Sequence, residues 1–296
     1  MSSIRRAVAG TASTTRRIAT WFWSGAGWAR APSPTRVMKH PDAPRRAGHE
    51  GTTTMTMTST TSPATSPLAD PRLARGMAAL MTLRDRAIAE GARPIGWKVG
   101  FSTPAALAKL GTKAPLVGFM LDRKVLAAGA TVALSHFTGA PVAEPEIVVE
   151  IGTDLPGGGD EAAARAAIVA LGPAIELVDV TPSDDPEAIL AGDIYHRHVV
   201  LGPRASRPGG VTADLVSRVL RNATTVATPA DVTANTGGLA MLVRHVADTV
   251  AALGLTLRAG DLIIAGSITA PLALTAEDRM LVHALDPIGE VSVRFA

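Results

Sequence analysis

The sequence predicts an α+β fold, and three observations lead there. Strand-like segments come in bunches with helices set apart from them, not in the one-for-one alternation of a doubly wound sheet. The chain ends on two alternating apolar runs that read as a hairpin: Met280, Val282 and Ala284, then Val291, Val293 and Phe295. Neither a G-x-G-x-x-G pattern nor a P-loop occurs, so a nucleotide cofactor has no support.

Taken in order, residues 1–67 predict no packed core. They hold Arg5-Arg6, Arg16-Arg17, Arg45-Arg46, a Thr/Ser/Met tract at 52–62, and the aromatic cluster Trp21, Phe22, Trp23 and Trp28. The expectation is a disordered basic leader. It reads as a membrane-surface or partner contact, as a transit peptide, or, in the preferred reading, as untranslated sequence ahead of a start at Met55 or Met57. A catalytic domain is expected over 68–296.

Asp70-Pro71 opens a helix, an N-cap acid followed by proline at the first turn. Leu73, Met77, Leu80 and Met81 form its apolar stripe, and Gly91 and Pro94 end it. A strand follows over 95–99. Ser102 or Thr103 caps a short helix over 104–110, which Gly111 stops. Residues 117–121 and 130–134 are short extended pieces, and 141–152 is a longer strand rich in Val and Ile. After Gly157-Gly158-Gly159, Asp160 caps a helix expected to run to Gly172, and the strand 173–179 comes next. A helix is expected over 212–222. The clearest helix covers 239–253, with Leu239, Leu242, Val243, Val246, Val250 and Leu253 on one face and Gly254 as its C-cap. A turn at 258–261 leads into a strand over 262–266.

The 296 residues carry a formal charge of +3 and a pI near 9.7. Nine of the Arg and Lys residues fall in 1–67, against Asp42 and Glu50 alone, so the pI is no evidence for nucleic-acid binding. There are no cysteines, which excludes disulfides, thiol catalysis and Cys-ligated zinc and fits a reducing, cytoplasmic setting. No apolar run reaches the ~20 residues that span a bilayer.

The chemistry centres on 141–152. Glu144 and Glu146 lie two apart on an extended chain and face the same way, roughly 6–7 Å apart at Cα. Two buried carboxylates side by side repel and lose hydration, and a hard divalent cation compensates best. The other reading is a solvated face paired with arginines. Glu150 shares their parity but lies about 13 Å along from Glu146, so it reads as a surface or salt-bridge residue. Glu176 is a third acid in an apolar strand. Lys98, between Trp97 and Val99, is either a snorkelling surface lysine or an anchor for anionic substrate. His196 and His198 alternate on one face, but zinc is disfavoured because no third nitrogen or sulfur ligand is near. Ser267 and Thr269 follow an apolar strand as turn hydroxyls.

Four motifs in order resemble the 2-keto-4-pentenoate hydratase / 4-oxalocrotonate decarboxylase group of the fumarylacetoacetate hydrolase superfamily. They are Gly96-Trp97-Lys98-Val99-Gly100, Glu144-Pro145-Glu146-Ile147, the segment 173–179, and Gly260-Asp261 with Gly266-Ser267-Ile268-Thr269. The resemblance runs from about residue 68 to 296. It implies a fumarylacetoacetate hydrolase-like mixed β-sheet roll, or pseudo-barrel, with flanking helices. It further implies Mg²⁺ or Mn²⁺ on Glu144, Glu146 and Glu176, and catalytic roles for Lys98, Ser267 and Asp193.

The expected function is a metal-dependent hydratase of aromatic meta-cleavage catabolism. It would add water to a 2-hydroxydienoate or 2-oxo-4-enoate to give a 4-hydroxy-2-oxo acid. The alternatives are 2-oxo-3-enedioate (4-oxalocrotonate) decarboxylation and a non-catalytic partner subunit. The expected partners are the small dienoic acid and further copies of the chain, with no nucleic acid or membrane. Two departures stand out. Pro115-Leu116-Val117-Gly118 has leucine where hydratase relatives carry an acid that handles water, and Asp193-Ile194-Tyr195-His196-Arg197-His198 replaces a segment resembling Asp-Asn-Ala-Ser. Asp193, His196 and His198 are the candidates to replace the lost acid.

Overall fold

The computed structural model describes residues 66–296; the expected leader, up to residue 65, lies outside them. The first helix, α1 (Pro71–Ala89), begins on the Asp70 cap, whose carboxylate accepts the Arg72 N–H at 2.9 Å. After β1 (Pro94–Gly100), Thr103 caps α2 (Pro104–Leu110), and Gly111 closes it in the left-handed conformation. The chain continues through β2 (Leu116–Leu121), β3 (Val125–Leu126), β4 (Thr131–Val132) and β5 (Ala140–Ile151). Next come α3 (Glu161–Ala167), β6 (Ile168–Val180), α4 (Pro186–Ala191), β7 (His196–Leu201) and β8 (Ala205–Ser206). Then follow β9 (Val216–Arg221), β10 (Thr224–Ala227), α5 (Leu239–Ala252), β11 (Leu262–Ser267), β12 (Leu272–Ala273), β13 (Met280–Asp286) and β14 (Gly289–Phe295).

The strands form two sheets. The larger has the order β2-β1-β11-β5-β6-β7-β3, with β12 added to β5 and β8 to β6; the smaller runs β10-β9-β13-β14-β4. The first is mixed, β1 pairing parallel with β11 and β5 antiparallel with β6. It curls into a half-barrel with the helices flanking it, an α+β architecture. The two faces of β5 and β6 divide the work. Odd-numbered residues meet the covering layers. Ile147, Val149 and Leu171 join the cluster that includes Met77, Leu80, Val243 and Val246 of the helices. Ile175 and Leu177 pack with Val219, Leu281, Val291 and Val293 of the smaller sheet. Even-numbered residues line the inside of the curl, where Val148, Ala174, Val199 and Ile264 make a small apolar plug.

Three expectations are corrected. Residues 212–222 are not a helix: β9 alternates, with Ser217 and Val219 buried and Arg218 exposed, because its β-branched valines pair with β13. The helix from Asp160 ends at Ala167, since 168–172 pair with β5 as the start of β6. The C-terminal hairpin forms, but in β13 the deeply buried set is Leu281, His283 and Leu285; Met280 and Val282 are half-buried.

His283 is fully buried between the sheets. Its Nδ1 lies 3.1 Å from the Ala174 carbonyl oxygen, which can only accept, so Nδ1 carries the proton and Nε2 accepts from the Ser217 hydroxyl at 3.1 Å. Burial pushes the imidazole down to about 4. A depressed base is neutral in the fold, and the unfolded chain takes up its proton first. Its contribution to stability is therefore complete above pH ~6.5 and is lost as pH falls towards 4, about 3 kcal/mol in all. Urea unfolding of wild type and His283→Asn between pH 7 and 4 measures this: the wild type should lose more stability than the variant over that interval.

Candidate metal centre

The acids meet because of register. In the antiparallel β5/β6 pair Glu144 stands directly opposite Glu176, and Glu146 lies opposite Ala174 on one side and Ser267 of β11 on the other. Opposed side chains on one face are nearest neighbours. One carboxylate oxygen from each of Glu144, Glu146 and Glu176 lies within 4.8 Å of the others. Glu146 and Glu176 are fully buried, while Glu144 stays half-buried at the mouth of the curl. The solvated-face reading is thereby set aside. Among the described residues this is the one group of three or more such side chains close enough to share an ion. Glu150, by contrast, pairs with Arg204 at 2.6 Å near the surface.

Each deep carboxylate has one oxygen held and one unpartnered. The N–H of Gly266, at φ 92°, bonds Glu146 Oε2 at 2.7 Å, and Glu146 Oε1 is buried with no partner. Glu176 Oε1 takes both the Lys98 ammonium and His196 Nδ1, and Glu176 Oε2 has no partner. Buried oxygens without donors are costly. Two of them beside a third carboxylate fit a cation with oxygen ligands.

Lys98 lies on the inner face of β1, opposite Gly118 of β2 and Ile264 of β11, and is sealed from solvent. Its Nζ donates to Glu176 and, at 3.1 Å, to the Ile194 carbonyl. Gly118 makes this possible: a Cβ there would meet Asp193 Oδ1 at 2.7 Å and Lys98 Cγ at 2.9 Å. Asp193 is also buried; Oδ1 accepts the Phe119 N–H at 3.0 Å and Oδ2 lies 3.5 Å from Lys124 Nζ. Ser267 Oγ is buried without a partner, as is Ser102 Oγ, whereas the Thr269 hydroxyl donates to the Ala270 carbonyl as a turn group.

The histidines separate. Leu177 pairs with His198 but Val178 with His196, so Arg197 is bulged out. His196 bonds Glu176 through Nδ1, while the bulge shifts His198 out of the simple alternation expected for the pair. His196 as a Glu176 partner, the Ile194 carbonyl and the Gly266 N–H were missed from sequence. Backbone groups and bulges leave no residue-type signal. Leu116 is buried in the apolar core.

The charges strain against burial. Desolvation, and then the Glu176 charge, raise Glu144 to about 7, and the same forces with Glu144 added hold Glu146 well above the usual range. Burial also opposes ionised Glu176, but Lys98 and His196 outweigh it and bring it to about 2. Burial works against the Lys98 ammonium too, yet Glu176, Asp193 and Glu144 raise its pKa.

Fold and site together define a class: a curled mixed sheet with a buried three-carboxylate cluster and an attendant lysine. The chain belongs to the fumarylacetoacetate hydrolase family; the description of that family's C-terminal domain matches residues 97–296. A 4-oxalocrotonate decarboxylase of a Pseudomonas species is 34% identical over 92 residues, 31% of this chain and 36% of that protein's length. The 2-keto-4-pentenoate hydratase 1 of Dechloromonas aromatica is 27% identical over 222 residues, 71% of this chain and 80% of the relative. The solved 4-oxalocrotonate decarboxylase of Pseudomonas putida G7 superposes with a TM-score of 0.69 at 26% identity, covering 76% of this chain and 86% of that one. It has been crystallised with calcium and acetate and with magnesium and adipate. Among the described residues no helix is long and apolar enough to cross a membrane.

If the like charges strain the cluster, removing one relieves it. In EDTA at pH 8, Glu146→Gln keeps an acceptor for Gly266 and should melt a few degrees above wild type, roughly 1–2 kcal/mol of relief. A melting temperature well below wild type would show that the carboxylate is held by something other than the cluster described.

Proposed function

We propose that the protein is a divalent-metal-dependent lyase that decarboxylates a 2-oxo-3-enedioate, with residues 68–296 as its catalytic domain. Glu144, Glu146 and Glu176 would hold Mg²⁺ or Mn²⁺, which supplies a Lewis acid for a 2-oxo acid when bound. The protein's own part is to manage the charge that develops on the substrate. When the distal carboxylate leaves as CO₂, the carbon–carbon bond to C5 breaks. Its electron pair moves through C4 and C3 to the 2-oxo oxygen, and one proton is needed there to give 2-hydroxypenta-2,4-dienoate. Lys98 is the group to donate an N–H to that oxygen in a dry site. Ser267 offers a free hydroxyl to the substrate carboxylate. Asp193 keeps the neighbourhood of Lys98 electrostatically fixed.

The observation that carries this choice over hydration is the state of the water-handling groups. Leu116 is apolar and buried. Of its possible substitutes, Asp193 has both oxygens engaged and His196 is bonded to Glu176. Hydration needs a positioned proton acceptor for water, whereas decarboxylation needs mainly an electron sink. The expected order of the two reactions is therefore reversed. Hydration stays the second reading because the relative matched over the greater length bears the hydratase name. The intact Lys98 and carboxylates argue against a non-catalytic subunit. A cytoplasmic homo-oligomer belongs to the same proposal.

Purified protein with Mg²⁺ should release CO₂ from 2-oxohex-3-enedioate, lose activity in EDTA and regain it with Mg²⁺ or Mn²⁺. Lys98→Met should cost about 10²- to 10³-fold in kcat. Hydration of 2-hydroxypenta-2,4-dienoate with no CO₂ from the dioate would overturn the reading.

A further inference from the structure

Three consecutive residues without glycine, Asp193, Ile194 and Tyr195, have φ of 53°, 51° and 63°. A left-handed turn of this length is rare in L-residues, and a β-branched residue there is a true outlier; Ile194 has φ 51°, ψ 44°. Such a conformation persists only when its surroundings hold it. They do so at each position. The Asp193 carboxylate takes the Phe119 N–H and Lys124. Ile194 is 3% exposed, its Cγ2 only 2.9 Å from where a Cβ on Gly100 would stand. The Tyr195 N–H donates to the Gly192 carbonyl at 3.2 Å, and its ring tilts against Phe101 with centroids 6.5 Å apart.

The Ile194 carbonyl in this turn accepts a hydrogen bond from Lys98 Nζ at 3.1 Å. An ammonium has three N–H groups. Glu176 Oε1 takes one and the Ile194 carbonyl a second. We infer that Ile194 is a positioning residue, whose carbonyl together with Glu176 pins two N–H groups of Lys98 and aims the third at the oxygen that gains charge on the substrate. This rests on the role proposed above for Lys98. The strain is stored where it fixes a donor before substrate arrives, and a fixed donor needs no reorganisation during the reaction.

The test follows the Lys98 ammonium directly. Its ¹⁵N–¹H signal, assigned by its disappearance in Lys98→Met, should be sharp and exchange-protected in the wild type. Ile194→Gly frees the turn, and Gly100→Ala pushes on Ile194 without altering the turn's own residues. Each should shift or broaden the Lys98 signal and lower kcat roughly 10- to 100-fold, while KM moves by less than about twofold and Mn²⁺ affinity measured by calorimetry is unchanged. Ile194→Val, which keeps the branched side chain, should recover the protected signal. An unchanged Lys98 signal in either folded variant would overturn the inference, as would a loss confined to KM. If the wild type turns over no 2-oxo-enoate, the proposed reaction fails, and the Lys98 signal alone still decides the positioning role.

Discussion

Three carboxylates are buried on the inside of one curled sheet, and the rest of the site exists to make that tolerable. Like charges this close in a desolvated space repel strongly. Glu144 and Glu146 show it in their raised pKa values, and Glu176 escapes only because Lys98 and His196 both lean on the same oxygen. Lys98 is not an ornament of this arrangement: remove it and Glu176 would join the others in resisting ionisation.

Architecture follows from that requirement. Lys98 stands on β1, separated from β6 by β11 and β5, about 14 Å across a flat sheet. The ammonium reaches Glu176 only because the sheet curls, and its stem fits only because position 118 is glycine. The small apolar plug of Val148, Ala174, Val199 and Ile264 lies on the inside of the curl, and Glu144 is half-buried. The outer faces of the same strands are covered by helices and the smaller sheet, so the core that holds the fold and the pocket that holds the charges are separated by strand parity.

Much of this was legible in the sequence because it is written in residue types at fixed spacing. Glu144-x-Glu146, the lone Glu176 and Lys98 between apolar neighbours follow period-two rules, and those four side chains do come together. The helix α5 and the α1 cap were equally plain. What was not legible depends on pairing partners. The strand β9 resembles a helix until β13 lies beside it. The parity of β13 is set by where His283 finds Ala174 and Ser217. The bulge at Arg197 shifts the register between His196 and His198, and no local pattern announces it. Expectations about partnership among His196, His198 and Asp193 therefore stayed open, while the expected meeting of the three carboxylates is seen in the fold.

Charge balance sets what the pocket can hold. The pocket holds four carboxylates, from Glu144, Glu146, Glu176 and Asp193, against the ammonium groups of Lys98 and Lys124. Burial holds His196 towards its neutral form, so with all four acids ionised the pocket would lack two positive charges. A divalent cation on the proposed ligands would close that deficit. Lys98 is already committed to Glu176 and Ile194. Asp193 carries its carboxylate on a strained turn, where it is tied to the Phe119 amide and Lys124. The acid on the strained turn is thus held by fixed donors, while Glu146 and Glu176 each keep one buried oxygen that has none.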